Sequence, residues 1–217
     1  MFFGFGYVRK KVEIPFGVFT FFIIFAVSKQ LKNKYDMRKI GFNDKIFNLT
    51  EAVLKGQKTI VVIPKTTTNS RSRFRINENI AVAQSYNDIY LECLTNGQES
   101  EAKIWKVCHS HRTAWLNKSL VQSETMPHII KITNYRVEKL QNISDDDCLK
   151  AGVIKQGKKA IYNDKGEIEY IDYYSVNGVG VFNTPHEAFA CLICSVKGKK
   201  MWKANPLVYI YEFKCVK

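Results

Sequence analysis

Two lysines and a threonine flank a glycine in Lys55-Gly56-Gln57-Lys58-Thr59-Ile60, where a helical pattern gives way to an apolar, β-branched run. An ammonium fixed at such a corner can neutralise phosphate or polarise a carbonyl. Freed of its proton, it can act as a nucleophile or base. The plainer alternative is a solvated turn lysine, since charges beside glycine turns are common. Downstream, Arg71, Arg73 and Arg75 alternate at i, i+2 and i+4. An extended segment would present all three on one side as a stripe suited to phosphate, whereas a loop rich in threonine would leave them solvated. A third basic set, Lys199 and Lys200 with Trp202, places cations beside a ring able to stack on a base.

Other residues with chemical potential have structural readings. Cys108-His109-Ser110-His111, read as Cys-His-x-His, offers up to three metal ligands, and Cys191-x-x-Cys194 could add two more. The second pair falls within a helical pattern and the first lacks finger spacing, so neither a metal site nor a cofactor is expected. Trp105 and Trp115 read as packing residues, with base stacking as the alternative. His128 opens a strand and suits a structural hydrogen bond. Ser144-Asp145-Asp146-Asp147 reads as a helix cap with acids in the first turn, complementing the helix dipole.

The elements that would position these groups follow from periodicity. Ile46, Leu49, Val53 and Leu54 predict a helix over residues 44–55, with Gly56 as its left-handed stop, followed by a strand over 59–63 closed by Pro64. A buried strand is predicted over 80–83, a polar turn over 94–101, and a long alternating strand over 129–140. Residues 160–170 read as a β-hairpin with a glycine turn, continuing to Tyr174. Thr184-Pro185-His186-Glu187 starts the last helix with an N-cap, an N1 proline and an N3 glutamate, and leaves His186 exposed. Phe189, Leu192, Ile193 and Val196 form its buried face.

The chain has 217 residues, 46% of them hydrophobic, enough for one sizeable core. Its 33 Lys and Arg against 20 Asp and Glu give a net charge of +13, which favours an anionic partner, either nucleic acid or a membrane surface. Six irregularly spaced cysteines read as reduced thiols, consistent with a cytoplasmic setting. Residues 1–36 stand apart: basic residues flank an uncharged, largely apolar run at 14–27, short for a membrane span. Three readings remain open for it: an extension preceding a natural start at Met37, a membrane anchor, or a cleaved signal. Without it, residues 37–217 still carry 27 Lys and Arg against 18 Asp and Glu, a net charge of +9.

The Gly-x-Lys-Thr corner, the segment Asn77-Glu78-Asn79-Ile80-Ala81-Val82-Ala83-Gln84, the strand leading into Ser144, and Trp202-Lys203-Ala204-Asn205-Pro206-Leu207-Val208 occur in an order that resembles the ASCH family, in its phage and bacterial branch. The resemblance covers most of residues 37–217. It implies an α+β fold, a small PUA-like mixed β-barrel with flanking helices and the hairpin as an elaboration. It also implies binding of RNA or another nucleic acid. Lys55, Lys58, Thr59, Arg71, Arg73, Arg75, Lys199, Lys200 and Trp202 are the residues expected to form the face. One branch of the family hydrolyses N4-acetylcytidine with a lysine, a threonine and a glutamate. Lys58 matches the lysine, but Val61 stands at the threonine position and Ala151 at the glutamate position. Ile63 and Gln84 replace a further arginine and glutamate. The resemblance therefore leans away from catalysis, with hydrolysis of an acylated nucleoside by an altered site, and a membrane-tethered interaction protein, as alternatives.

Overall fold

The computed structural model describes residues 37–65 and 72–216. Among these the elements are β1 (Lys39–Ile40), α1 (Leu49–Leu54), β2 (Ile60–Pro64), β3 (Asn79–Val82), α2 (Tyr86–Thr95), α3 (Glu99–His109), β4 (Ile129–Lys139), α4 (Asp145–Lys150), β5 (Val153–Tyr162), β6 (Ile168–Val176), β7 (Val179–Phe182), α5 (Pro185–Lys197), α6 (Lys199–Ala204) and β8 (Leu207–Cys215). The α+β class follows directly. The 1–36 segment, with its apolar run at 14–27, lies outside the described residues, as does Arg71. Among the described residues no helix is long and apolar enough to cross a membrane.

The strands do not close into a barrel among the described residues. They form a five-stranded sheet in the order β1-β3-β4-β8-β2 and a separate three-stranded meander, β5-β6-β7. In the larger sheet only β1 and β3 are parallel. The long β4–β8 ladder pairs Tyr135 with Tyr211 and Val137 with Tyr209. Ile130, Ile132, Val208, Ile210 and Tyr211 are all buried at its centre. Apolar side chains of α1, α4 and α5 join the same core, including Val53, Cys148, Phe189 and Leu192. The second sheet begins as the 160–170 hairpin predicts, its turn carried by Gly166 at φ 76°. It is longer than predicted, reaching back to Val153 and forward through β7.

Two predictions at the level of elements are corrected. The 44–55 helix is reduced to α1, because residues 45–47 form a turn and Asn48 is left-handed at φ 45°. Asp44 closes that turn by accepting from the Thr50 amide at 2.7 Å and the Thr50 hydroxyl at 2.8 Å. The polar stretch 94–101 is a turn only around residues 96–98. Leu94 still belongs to α2, which opens with a capping box between Ser85 and Asp88. Glu99 and Glu101 occupy the first turn of α3, where the helix dipole favours acids. These helices cover a smaller core of Ala81, Tyr86, Ile89, Ala102 and Met126, against which Trp105 and Trp115 pack. The tryptophans thus take the packing reading: Trp105 lies 5.7 Å from the Tyr86 ring and Trp115 5.8 Å from Tyr90.

Candidate functional site

The helix-to-strand corner at Lys58 is built by a Schellman turn. Gly56 adopts φ 71° and its amide donates to Val53 O at 2.9 Å, while Gln57 donates to Ala52 O at 2.9 Å. Lys58 also donates its backbone amide to Ala52 O, at 3.0 Å, and Thr59 donates to Lys150 O at 2.8 Å. Thr59 O accepts from Phe213 at 2.8 Å. From this corner the Lys58 side chain is turned inward. Gly152 packs beside it at φ 105°, a conformation that favours glycine; a Cβ there would sit in ordinary contact, 3.9 Å from both Cβ and Cδ of Lys58.

Lys58 is only 6% exposed, which excludes a solvated turn lysine. Its Nζ donates to Ala151 O at 2.6 Å, and among the described residues no carboxylate lies within ion-pair distance of it. Burial without a counter-charge lowers its pKa from 10.5 to about 7, because desolvation penalises the ammonium. The amine therefore changes charge near neutrality.

Lys58 lies in the wall of a cavity of about 150 Å³. Gly41, Phe42 and Asn43 line it after β1, Val61 and Ile63 from β2, and Ala151 at the end of α4. Helix α5 contributes Phe189, Leu192, Ile193, Val196 and Lys197. Arg73 is the second predicted site residue in the lining. Its guanidinium also sits 5.3 Å from the centre of the Phe74 ring. The walls are otherwise largely apolar. The positions where the resemblance implied threonine, glutamate and arginine, here Val61, Ala151 and Ile63, all reach this cavity, so the replacements fall within one site. Gln84 is not part of the lining; its Nε2 donates to Glu92 at 2.9 Å. Glu92 in turn pairs with His128 at 2.7 Å, a structural hydrogen bond as predicted, and that contact holds the Glu92 carboxyl below its ordinary range.

The remaining predicted residues are not in the lining. Lys55 is exposed and paired with Glu51 at 2.5 Å. Arg75 is exposed, like Arg73, but residues 72–75 run through bends rather than a strand, so the extended geometry behind an arginine stripe is absent there even though Arg73 itself reaches the lining. Lys199 and Lys200 are exposed at the start of α6. Trp202 is half-buried with its ring edge-on to Phe189 at 6.1 Å, behind the cavity wall rather than open for stacking. Sequence reasoning missed Lys197, the 41–43 backbone and the Ala151 carbonyl. Lys197 was detectable: it lies one turn beyond Ile193 on the face taken as wholly buried.

Two ligand candidates also separate. Among the described residues Cys108 and His111 join no metal-ligating cluster, and His109 stacks on Tyr86 at 4.2 Å. His186, predicted exposed, is half-buried; its Nε2 lies 3.0 Å from Gln141 O and its Nδ1 3.4 Å from Asp145 Oδ1.

Among solved structures the chain is similar to an ASCH domain from Lactobacillus crispatus JV V101, at 11% sequence identity and a TM-score of 0.43, over 96% of this chain and 99% of that one. It is also similar to a DUF984 protein from Enterococcus faecalis V583, at 11% identity and a TM-score of 0.42, over 92% of each chain. No family model and no curated protein matches the chain.

Proposed function

We propose that the protein binds single-stranded nucleic acid, RNA in the first instance, and receives one unstacked base in the Lys58 cavity. The observation that carries this reading is the combination of a buried lysine, without a counter-charge among the described residues, with apolar walls and two further cations in the lining, Arg73 and Lys197. A cavity of about 150 Å³ is the size that holds a single six-membered ring. Leu49, Val61, Ile63 and Leu192 suit the faces of a planar base better than they suit a phosphate, which would lose hydration against them. Lys58 keeps donor capacity beyond its bond to Ala151 and can meet a base carbonyl. Arg73 and Lys197 supply charge for the flanking phosphates, which carry most of the affinity and no sequence information. The exposed Lys55, Arg75, Lys199 and Lys200 and the net charge of +9 over residues 37–217 support the same partner.

A second reading has one specific observation in its favour. An amine with a pKa of about 7 is partly unprotonated at neutral pH and can attack or deprotonate, as hydrolysis of an acylated nucleoside would require. The apolar side chains at Val61 and Ala151 leave that chemistry without the hydroxyl and carboxylate the resemblance implied, so binding is preferred.

The test uses the full chain, titrated with a fluorescent single-stranded oligoribonucleotide and with its duplex across a salt series. The expected result is preference for the single strand, a log–log salt slope corresponding to several phosphates, and at least a tenfold loss in Lys58→Met. Absence of binding at low salt, or an unchanged affinity in Lys58→Met, overturns the base-pocket reading. Release of acetate from N4-acetylcytidine by the wild type but not by Lys58→Met would favour the enzyme instead.

A further inference from the structure

Helices α4 and α5 bring together three side chains that the sequence separates. Asp145 and Cys148 are three residues apart on α4 and share a face. His186 is the second residue of α5. Their ligating atoms, a carboxylate oxygen, a sulfur and a ring nitrogen, lie within 4.8 Å of one another. Asp145 is exposed, His186 half-buried and Cys148 fully buried, so the trio runs from solvent into the protein.

The hydrogen bonding of His186 selects its free atom. Nε2 is 3.0 Å from the Gln141 carbonyl oxygen, which can only accept, so Nε2 carries the proton. Nδ1 faces Asp145 Oδ1 at 3.4 Å. That edge of the ring and the carboxylate can share one positive centre, either a proton on Nδ1 or a bound cation. A carbonyl on the far ring nitrogen is also how ligand histidines are commonly oriented and their tautomer fixed. The spacing is informative as well. Direct N–H···O bonds cluster near about 2.9 Å, whereas nitrogen and oxygen ligands each at about 2.1 Å from a tetrahedral ion lie about 3.4 Å apart.

We infer that Asp145, Cys148 and His186 form a binding site for one thiophilic divalent cation of the zinc class, through Oδ1, Sγ and Nδ1, with a water in the fourth position. The mixed sulfur, nitrogen and oxygen donors set the class: calcium and magnesium take oxygen ligands in larger numbers, while a borderline ion accepts all three types. Burial and the nearby Asp145 and Asp147 carboxylates push the Cys148 thiol up to about 12, so the ion itself must displace the proton, which passes to solvent as the thiolate becomes a ligand. With one thiolate and one carboxylate, the doubly charged ion is neutralised. The ion would tie α4 to α5, the helices that end at Ala151 and line the base cavity from Phe189 to Lys197.

The full chain, reduced and stripped with chelator, is titrated with Co²⁺. The expected result is a near-ultraviolet thiolate-to-cobalt charge-transfer band with intense visible bands of a tetrahedral ion, saturating at one equivalent and erased by Zn²⁺. Cys148→Ser should remove the charge-transfer band. His186→Gln, on the half-exposed ring, leaves the core intact and should weaken zinc binding at least tenfold, with circular dichroism unchanged. Absence of the band in the wild type overturns the site. A band that survives in Cys148→Ser also overturns it, since the other cysteines would then be its source, and so does an unchanged zinc affinity in His186→Gln.

Discussion

Replacing Lys58 with methionine tests whether burial, rather than a partner, governs this amine. The gap between its ordinary value of 10.5 and its folded value of about 7 means that holding the ammonium in the protein is unfavourable by about 5 kcal/mol. The sign follows from proton counting. Between pH 7 and 10.5 the unfolded chain keeps the Lys58 proton and the folded chain does not, so the wild type becomes more stable as pH rises through that window. Below pH 7 both states are protonated and the full penalty applies. Methionine fills nearly the same volume without charge, but it leaves the Ala151 carbonyl without its donor, at about 1–3 kcal/mol. Lys58→Met is therefore expected to be the more stable protein at pH 6 and the less stable at pH 10, the difference between the two proteins swinging by about 4 kcal/mol. Urea unfolding of both full-length proteins at pH 6, 8 and 10, at one ionic strength and with thiols reduced, measures it. Only the difference is used, so titration of every other group cancels. A difference that stays constant within about 1 kcal/mol across that range would refute the argument, because an amine with an ordinary pKa gives a flat profile.

Two further substitutions probe what holds the site. Gly152→Ala forces a side chain onto a backbone at φ 105°, with its Cβ in ordinary contact with Leu49 at 3.6 Å. The expected destabilisation of about 1–3 kcal/mol is thus conformational, and an unchanged melting temperature would show that the strain is absent. Arg136 on β4 bonds Asp147 at the start of α4 and reaches Glu212 at 3.4 Å and Glu138 at 3.5 Å. Arg136→Met leaves the Asp147 carboxylate, only 11% exposed, with the Ser144 hydroxyl at 2.7 Å and the Lys150 ammonium at 3.8 Å as its remaining partners, and is expected to lower stability by about 2 kcal/mol. A double-mutant cycle with Asp147→Asn should show a coupling of at least about 1 kcal/mol, and strict additivity would remove the pair from the account.

What the amino-acid sequence determined by itself is local. Gly56 ends a helix in the left-handed region, Ser144 and Thr184 cap helices by accepting from the Asp147 and Glu187 amides, Pro185 occupies N1, and Gly166 turns a hairpin. Each of these depends on residues within one turn, so type and spacing suffice. The same locality explains the error at residues 94–101, where polar residues suit either a turn or an exposed helix start and only the covering of Tyr86, Ile89 and Ala102 decides between them. Tertiary structure alone decided the fate of the charged groups. Lys58 meets a carbonyl 93 residues away, and its loss of solvent depends on β1, β2, α4 and α5 closing around it. Asp145 and His186, 41 residues apart, meet because two helix starts converge. Desolvation and ligand geometry are sums over neighbours from distant segments, and no window along the chain contains those neighbours together.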